Sequence, residues 1–199
     1  MERSEELHAR SVRLQTERLE LVPLTALQLR KWLEHPDELE RELMCSYRAE
    51  PLTGFFREIV EQQLCATRND LDRNYVWHSF WFLIRRYDRV VVGSADFKDV
   101  PDAHGEVEIG YGLGDGFCKN GYMTEAVRAM CEWAFSQSGV KQILAETEPD
   151  NGASQRVLLR CGFREISRGE TIHFCLQRDS EPQDPGQKYC ETTTQQGRF

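Results

Sequence analysis

Apolar residues recur along this chain in two rhythms, every second position and every third or fourth, and the two alternate from one end to the other. Thr16–Leu24 carries Leu19 and Leu21 on one face and predicts a first strand. Thr25 suits the cap of a helix carrying Leu29, Trp32 and Leu33, which Pro36 stops. A second helical pattern covers 37–44. A third runs over 52–66, with Phe55, Phe56, Ile59, Val60 and Leu64 on its apolar side. Tyr75–Arg86 is dense in aromatic and β-branched residues and predicts a strand, turned at Asp88-Arg89 into a hairpin with Val90–Phe97. After a turn over 99–105, Glu106–Leu113 alternates as a strand. A helix over 121–137 then places Met123, Val127, Met130, Cys131 and Ala134 on one side. A strand over 142–147, a helix over 151–161, and strands near 163–168 and 170–177 complete the series.

This order predicts an α/β (α+β) domain with a mixed, mostly antiparallel sheet. The 106–113 and 142–147 strands, joined by a crossover helix, are predicted to be parallel neighbours. Residues 1–12 are charged and 179–199 are polar and turn-rich, so one domain is expected over 13–178 between poorly ordered flanks.

The richest local chemistry lies where the 106–113 strand gives way to a helix. Gly112, Gly114 and Gly116 loosen the chain there, and the run continues as Cys118-Lys-Asn-Gly-Tyr-Met-Thr124. Strand, glycine-bearing loop and helix aim free backbone N–H groups at an anion; Lys119 adds positive charge and Gly121 admits close approach to the main chain. An empty strand-to-helix turn fits this segment alone equally well. Neither G-x-x-x-x-G-K-[ST] nor an early G-x-G-x-x-G occurs, which argues against a P-loop hydrolase and a dinucleotide fold. A second signature follows, Asn151-Gly-Ala-Ser154 and then Val157-Leu-Leu-Arg-Cys-Gly-Phe163.

Composition narrows the partners. A net charge of −8 argues against a nucleic-acid binder and is compatible with a cationic substrate such as an amine. No apolar run is long enough for a membrane span, and the first residues lack a basic-then-apolar leader pattern. The seven cysteines are widely spaced with no C-x-x-C pair, and no histidines form an i,i+4 pair. Reduced thiols in a cytoplasmic protein without a metal are therefore the expectation. Cys118 sits in the loop but has no histidine placed beside it in sequence as a base.

The two signatures, in this order, resemble the GNAT N-acetyltransferases, and within them the ribosomal-protein N-terminal (Rim-type) branch. The resemblance spans roughly 14–178. Its marks are Thr16-Glu-Arg-Leu, Gly93, Glu108-Ile-Gly-Tyr111, Gly121-Tyr-Met-Thr-Glu-Ala126, and Asn151 through Gly162-Phe163. It implies a central sheet of about seven strands with a splayed parallel pair at the cofactor site. It implies acetyl-CoA as cosubstrate. Its pyrophosphate would rest on the amides of Lys119, Asn120, Gly121, Tyr122, Met123 and Thr124. Its pantetheine would pair with Ile109, Gly110, Tyr111 and Gly112, and Asn151 and Ser154 would face its thiol end. Asn151 also suits a helix N-cap. Cys118 stands where the family's loop has Gln or Arg, so no side-chain contact is expected there.

Acetyl transfer to an amine requires a proton acceptor, for which Glu108 is the choice, with Glu106 and Asp96 in reserve. The N–H of Gly110 or Tyr111 is the expected oxyanion donor. The tyrosine that protonates the thiolate in many relatives is replaced by Leu158; Ser154 is one substitute acid, and departure of the CoA thiolate without an acid is the other course. Tyr75, Trp77 and Trp81 fit either core packing or an acceptor pocket, core being favoured. Protein N-termini and small amines are both open as acceptors, as are a monomer and a homodimer. A catalytically weak CoA-binding sensor or scaffold is the alternative reading.

Overall fold

The computed structural model describes residues 12–69 and 74–178; the flanks expected at 1–12 and 179–199 lie, apart from Val12, outside them. Strands β1 (Leu14–Gln15) and β2 (Leu19–Pro23) lead into helices α1 (Ala26–Glu34) and α2 (Pro36–Leu43), the short strand β3 (Ser46–Tyr47) and helix α3 (Gly54–Asn69). Strands β4 (Phe80–Arg85), β5 (Val90–Phe97) and β6 (Glu106–Leu113) form a meander. Helix α4 (Tyr122–Ser136) crosses over to β7 (Gln142–Thr147), and α5 (Gly152–Arg160) precedes the hairpin of β8 (Arg164–Arg168) and β9 (Ile172–Gln177). The sheet order is β1-β2-β4-β5-β6-β7-β9-β8, with β3 parallel to β5. The β6–β7 pair is parallel as the crossover predicts, and the other pairs along the path are antiparallel.

The sheet separates two apolar cores. Trp81 and Leu83 of β4 point into the α4 and α5 side, with Phe97, Ile109 and Met130. Phe80, Phe82 and Ile84 point the other way, into a core with Trp32, Leu39 and Val60 from α1, α2 and α3. Strand β4 is therefore buried on both faces, and each of its large side chains contributes about 1.5–3 kcal/mol through burial. Thr25 and Gln28 form a reciprocal capping box at the start of α1. Pro36 ends α1 and also occupies the first turn of α2, so only His35 separates the two helices.

Several boundaries depart from the sequence pattern. The predicted first strand begins only at Leu19, because Thr16 closes a tight turn between β1 and β2: its N–H donates to Leu19 O (2.9 Å) and its hydroxyl accepts from Leu19 N–H (2.9 Å). Residues 75–77 form a 3-10 turn, not the start of a strand. An apolar run buried on all sides reads as strand whatever its backbone. Here Trp77 is needed beneath the sheet, its ring 4.9 Å from Phe97 and 4.7 Å from Trp133. Trp81 Nε1 donates to Val76 O at 2.9 Å. Trp77 and Trp81 are thus core residues with Tyr75 packed against them, as favoured. Phe55, expected on the buried side of α3, is 75% exposed. The sheet has nine strands instead of about seven, because β1 and β3, two residues each, carry no readable period.

Candidate functional site

The site is built on a fork in the sheet. Strand β6 pairs with β7 only at Glu106, Val107 and Glu108, whereas it pairs with β5 from Ile109 to Leu113. Beyond Glu108 the two parallel strands part. Lys98 N–H donates to Glu108 O and Gly114 N–H to Val92 O, each at 3.0 Å, so even-numbered residues of β6 turn their backbone groups toward β5. By strand alternation odd-numbered residues turn theirs toward β7: the Ile109 N–H is used in the last pairing, that of Glu108 with Leu144, and the Ile109 carbonyl and the Tyr111 groups open into the fork. Of the two expected oxyanion donors, alternation directs Gly110 to the β5 ladder and Tyr111 to the gap. Because β6 and β7 are parallel, the loops that follow them open at the same end of the sheet, bringing the α4 loop and the start of α5 to one place.

The α4 loop presents bare amides. Lys119 (φ 65°) and Gly121 (φ 81°, ψ 0°) are both left-handed. Gly121 is the N-cap and has no side chain to offer, and the first helical bond in this turn runs from Glu125 N–H to Gly121 O. Asn120, which could have capped the helix, is turned back onto the carbonyls of Phe117 and Cys118 at 3.1 Å each. Tyr122, Met123 and Thr124 therefore begin α4 with N–H groups free of a side-chain cap. The side chains of Tyr122 and Met123 are buried in the α4 core, so only their main chain is available. Cys118 is exposed.

A clamp holds this loop, and periodicity could not have found it. Glu125 in the first turn of α4 accepts from the Arg18 backbone N–H (2.8 Å) and from Arg18 Nε and Nη2 (2.7 and 2.6 Å), as well as from the Thr16 hydroxyl. Arg18 Nη1 also donates to Asn120 O at 2.8 Å, and its guanidinium lies 4.7 Å over the Tyr122 ring. Burial alone would raise the Glu125 carboxyl, but the Thr16 and Arg18 hydrogen bonds together hold it below its ordinary value. Thr16-Glu-Arg and Gly121–Ala126, two separate marks in sequence, are thus two halves of one contact.

On the other side of the fork, Asn151 caps α5 by accepting from Ser154 N–H at 3.0 Å. The Tyr111 side chain reaches this helix, its hydroxyl 2.9 Å from Ser154 Oγ. Leu158 is fully buried in the core.

The opposite face of β6 is acidic. Val107 and Ile109 are buried on the α4 side, so Glu106, Glu108, Gly110 and Gly112 face α1–α3. A methyl group at Gly110 would lie 2.8 Å from an Asp96 carboxylate oxygen and 2.7 Å from Lys98 Nζ; one at Gly112 would lie 2.8 Å from Glu50. These charged groups sit directly over the strand. Asp96 is almost fully buried and accepts from Gln63 Nε2 (3.0 Å) and Lys98 Nζ (3.2 Å). Glu106 accepts from Gln142. Both reserve carboxylates are therefore engaged. Glu108 stands at the fork itself, half-buried, with its carboxyl pushed above the ordinary value chiefly by burial. Lys98 and His173 pull it down, and Glu146 and Asp96 push it up. Glu50 and Lys98 were not named from sequence; what brings each to the site is its place over β6 in the fold.

A family model described as an acetyltransferase (GNAT) domain matches residues 18–164. The chain is 28% identical over 153 residues to YjdG of Bacillus subtilis (strain 168), an uncharacterised N-acetyltransferase, covering 76% of this chain and 89% of that one. It is 27% identical over 135 residues to p20 of Bacillus licheniformis, likewise an uncharacterised N-acetyltransferase, covering 64% and 75%. Among solved structures, the ribosomal-protein-S5-alanine acetyltransferase of Vibrio fischeri superposes with a TM-score of 0.61 at 17% identity, covering 86% of this chain and all of that one. RimL, a ribosomal L7/L12 alpha-N-protein acetyltransferase in complex with coenzyme A, gives 0.61 at 14% identity, covering 85% and 100%. At these identities the likeness to the solved structures is one of fold.

Proposed function

The chain belongs to the GNAT acetyltransferase family, and from that premise we propose that it moves the acetyl group of acetyl-CoA directly onto a primary amine, at a protein N-terminus or on a small molecule, within a ternary complex. The observation that carries this reading is the fork: β6 leaves β7 just after a half-buried Glu108, with bare helix amides at its mouth. The α4 amides suit a pyrophosphate. The Ile109 carbonyl and the backbone groups of Tyr111, past the last pairing with β7, suit the amide-bearing pantetheine arm, which would pair like an added strand.

An alkylammonium with a pKa near 10 must lose a proton before it can attack. Glu108, with its affinity for a proton raised by burial, suits that task directly or through one water. The Tyr111 N–H suits the developing oxyanion, and Ser154 the departing sulfur. Carboxylates of Glu50, Asp96 and Glu108 over β6 favour a cationic acceptor.

A second reading, a CoA-binding module with little turnover, is favoured by Leu158. It is fully buried where many relatives place a thiolate-protonating tyrosine. Release of free CoA thiol from acetyl-CoA with a panel of amines, paired with product mass, separates the two. Glu108→Gln is expected to lower kcat by about 100-fold or more with unchanged acetyl-CoA affinity. Tight acetyl-CoA binding without thiol release for any amine would leave the second reading standing.

A further inference from the structure

Tyr111 touches one residue of α5 twice. Its hydroxyl oxygen lies 2.9 Å from Ser154 Oγ and 3.3 Å from the Ser154 carbonyl oxygen. Ser154 is held from the other side as well, its N–H donating to Asn151 Oδ1. A phenylalanine at 111 would fill the same place against the core. The phenolic oxygen is therefore what calls for a role.

Two hydrogen-bond patterns satisfy these distances. In one, the phenol donates to the Ser154 carbonyl and accepts the serine's proton, which leaves the serine no donor. In the other, the phenol donates to Oγ and the serine O–H is free to turn outward. The contact to Oγ is the shorter, and a phenol, with a pKa of about 10, is a far stronger donor than an alkanol. Both facts favour the second pattern. Burial also pushes the Tyr111 phenol up to about 12, so it keeps its proton at neutral pH.

We propose that Tyr111 is a positioning residue for the leaving group: by donating to Ser154 Oγ it turns the serine O–H toward the sulfur that becomes negative. The inference rests on the acetyl-transfer reading above. As the tetrahedral adduct collapses, the new C–N bond is kept, the C–S bond breaks and its electron pair stays on sulfur. Ser154 lends its O–H as a hydrogen bond without losing the proton. Glu108 passes the ammonium's proton to water before attack and then takes the second proton, released by the nitrogen once it is acylated; water protonates the thiolate after release. The task handled from the Leu158 position in many relatives is here shared by a pair that bridges β6 and α5.

The test is a double-mutant cycle. Tyr111→Phe is expected to lower kcat about tenfold, with KM for acetyl-CoA within about twofold, since it removes support for a charge present only in the transition state. In a Ser154→Ala background the same change is expected to do nothing further, whereas a merely structural role would give independent, multiplying losses. A second measurement needs no turnover. The thiol introduced by Ser154→Cys, followed by alkylation and peptide mass, should ionise about one pH unit lower with Tyr111 present than with Tyr111→Phe. Undiminished kcat in Tyr111→Phe, multiplying losses, or identical thiol midpoints overturns the inference alone. A wild-type protein that acetylates no amine overturns the functional reading and this inference together.

Discussion

Gly121→Ala isolates the worth of the loop's backbone shape. Gly121 holds φ 81°, and the nearest atom to an added methyl is Arg18 Nη2 at 3.4 Å, so the alanine has room and meets only conformational strain. Left-handed backbone costs a non-glycine residue about 1–2 kcal/mol. Lower unfolded-chain entropy offsets about 0.4–1 kcal/mol of this, leaving about 1 kcal/mol. That amount must appear in one of two places. If the loop keeps its shape, Tm falls by about 2–4 °C for a chain of this size. If the loop relaxes instead, Tm recovers, and the amides of Tyr122, Met123 and Thr124 leave their line; acetyl-CoA then binds about fivefold more weakly, since 1.4 kcal/mol is tenfold. Thermal unfolding of the free protein and calorimetric titration with acetyl-CoA read the two shares. Gly116→Ala is the control, because Gly116 lacks positive φ and its methyl would meet nothing within 4 Å. A Gly121→Ala protein matching the control in both Tm and affinity refutes the reasoning.

Glu108→Gln should abolish the acidic limb of the kcat/KM profile, which rises with pH as Glu108 ionises above the ordinary 4.5. Because burial disfavours the charged form in the folded state, that charge destabilises the fold above the raised pKa. The Gln variant should therefore have a higher Tm at pH 7, with the gap closing below pH 4.5. Arg18→Ala should weaken acetyl-CoA binding several-fold by titration, since the Glu125 carboxylate loses its counter-charge beside the loop amides. It should also lower stability by about 1 kcal/mol at neutral pH. Glu125 is held below 4.5, so the stability it supplies is present above that value and lost as pH falls through its lowered pKa; the variant's deficit should shrink in acid. Gly93→Ala should cost about 2–3 kcal/mol in denaturant unfolding, because its methyl would lie 2.4 Å from the backbone oxygen of Gly112 and force β5 from β6. Gly112→Ala meets only the movable Glu50 carboxylate and should cost less.

What the sequence disclosed divides along physical lines. The strand, loop and helix at 106–137 were legible because glycine placement and a shift from alternation to helical spacing are local signals. Asn151 was legible as a cap for the same reason. The 3-10 turn at 75–77 was not, because burial on every side erases the period that separates backbone shapes. The Glu125 clamp joins residues 107 and 109 positions apart, and the Tyr111–Ser154 bond spans 43. Their components were named in sequence, but only folding puts them in reach. The parting of β6 from β7 was implied by resemblance; its position after Glu108 is set by which backbone groups find partners.

The division of the interior into two cores also separates the chain's four tryptophans. Trp32 stands alone among the early helices, while Trp77 and Trp81 have ring centroids 4.7 and 5.1 Å from Trp133 across the sheet from it. Each half thereby has its own optical signature. Replacing Trp32 by Phe would confine indole emission to the half that carries α4 and α5. Indole emission from that variant would report unfolding around α4 and α5, and its difference from the emission of the unsubstituted chain would report unfolding around Trp32.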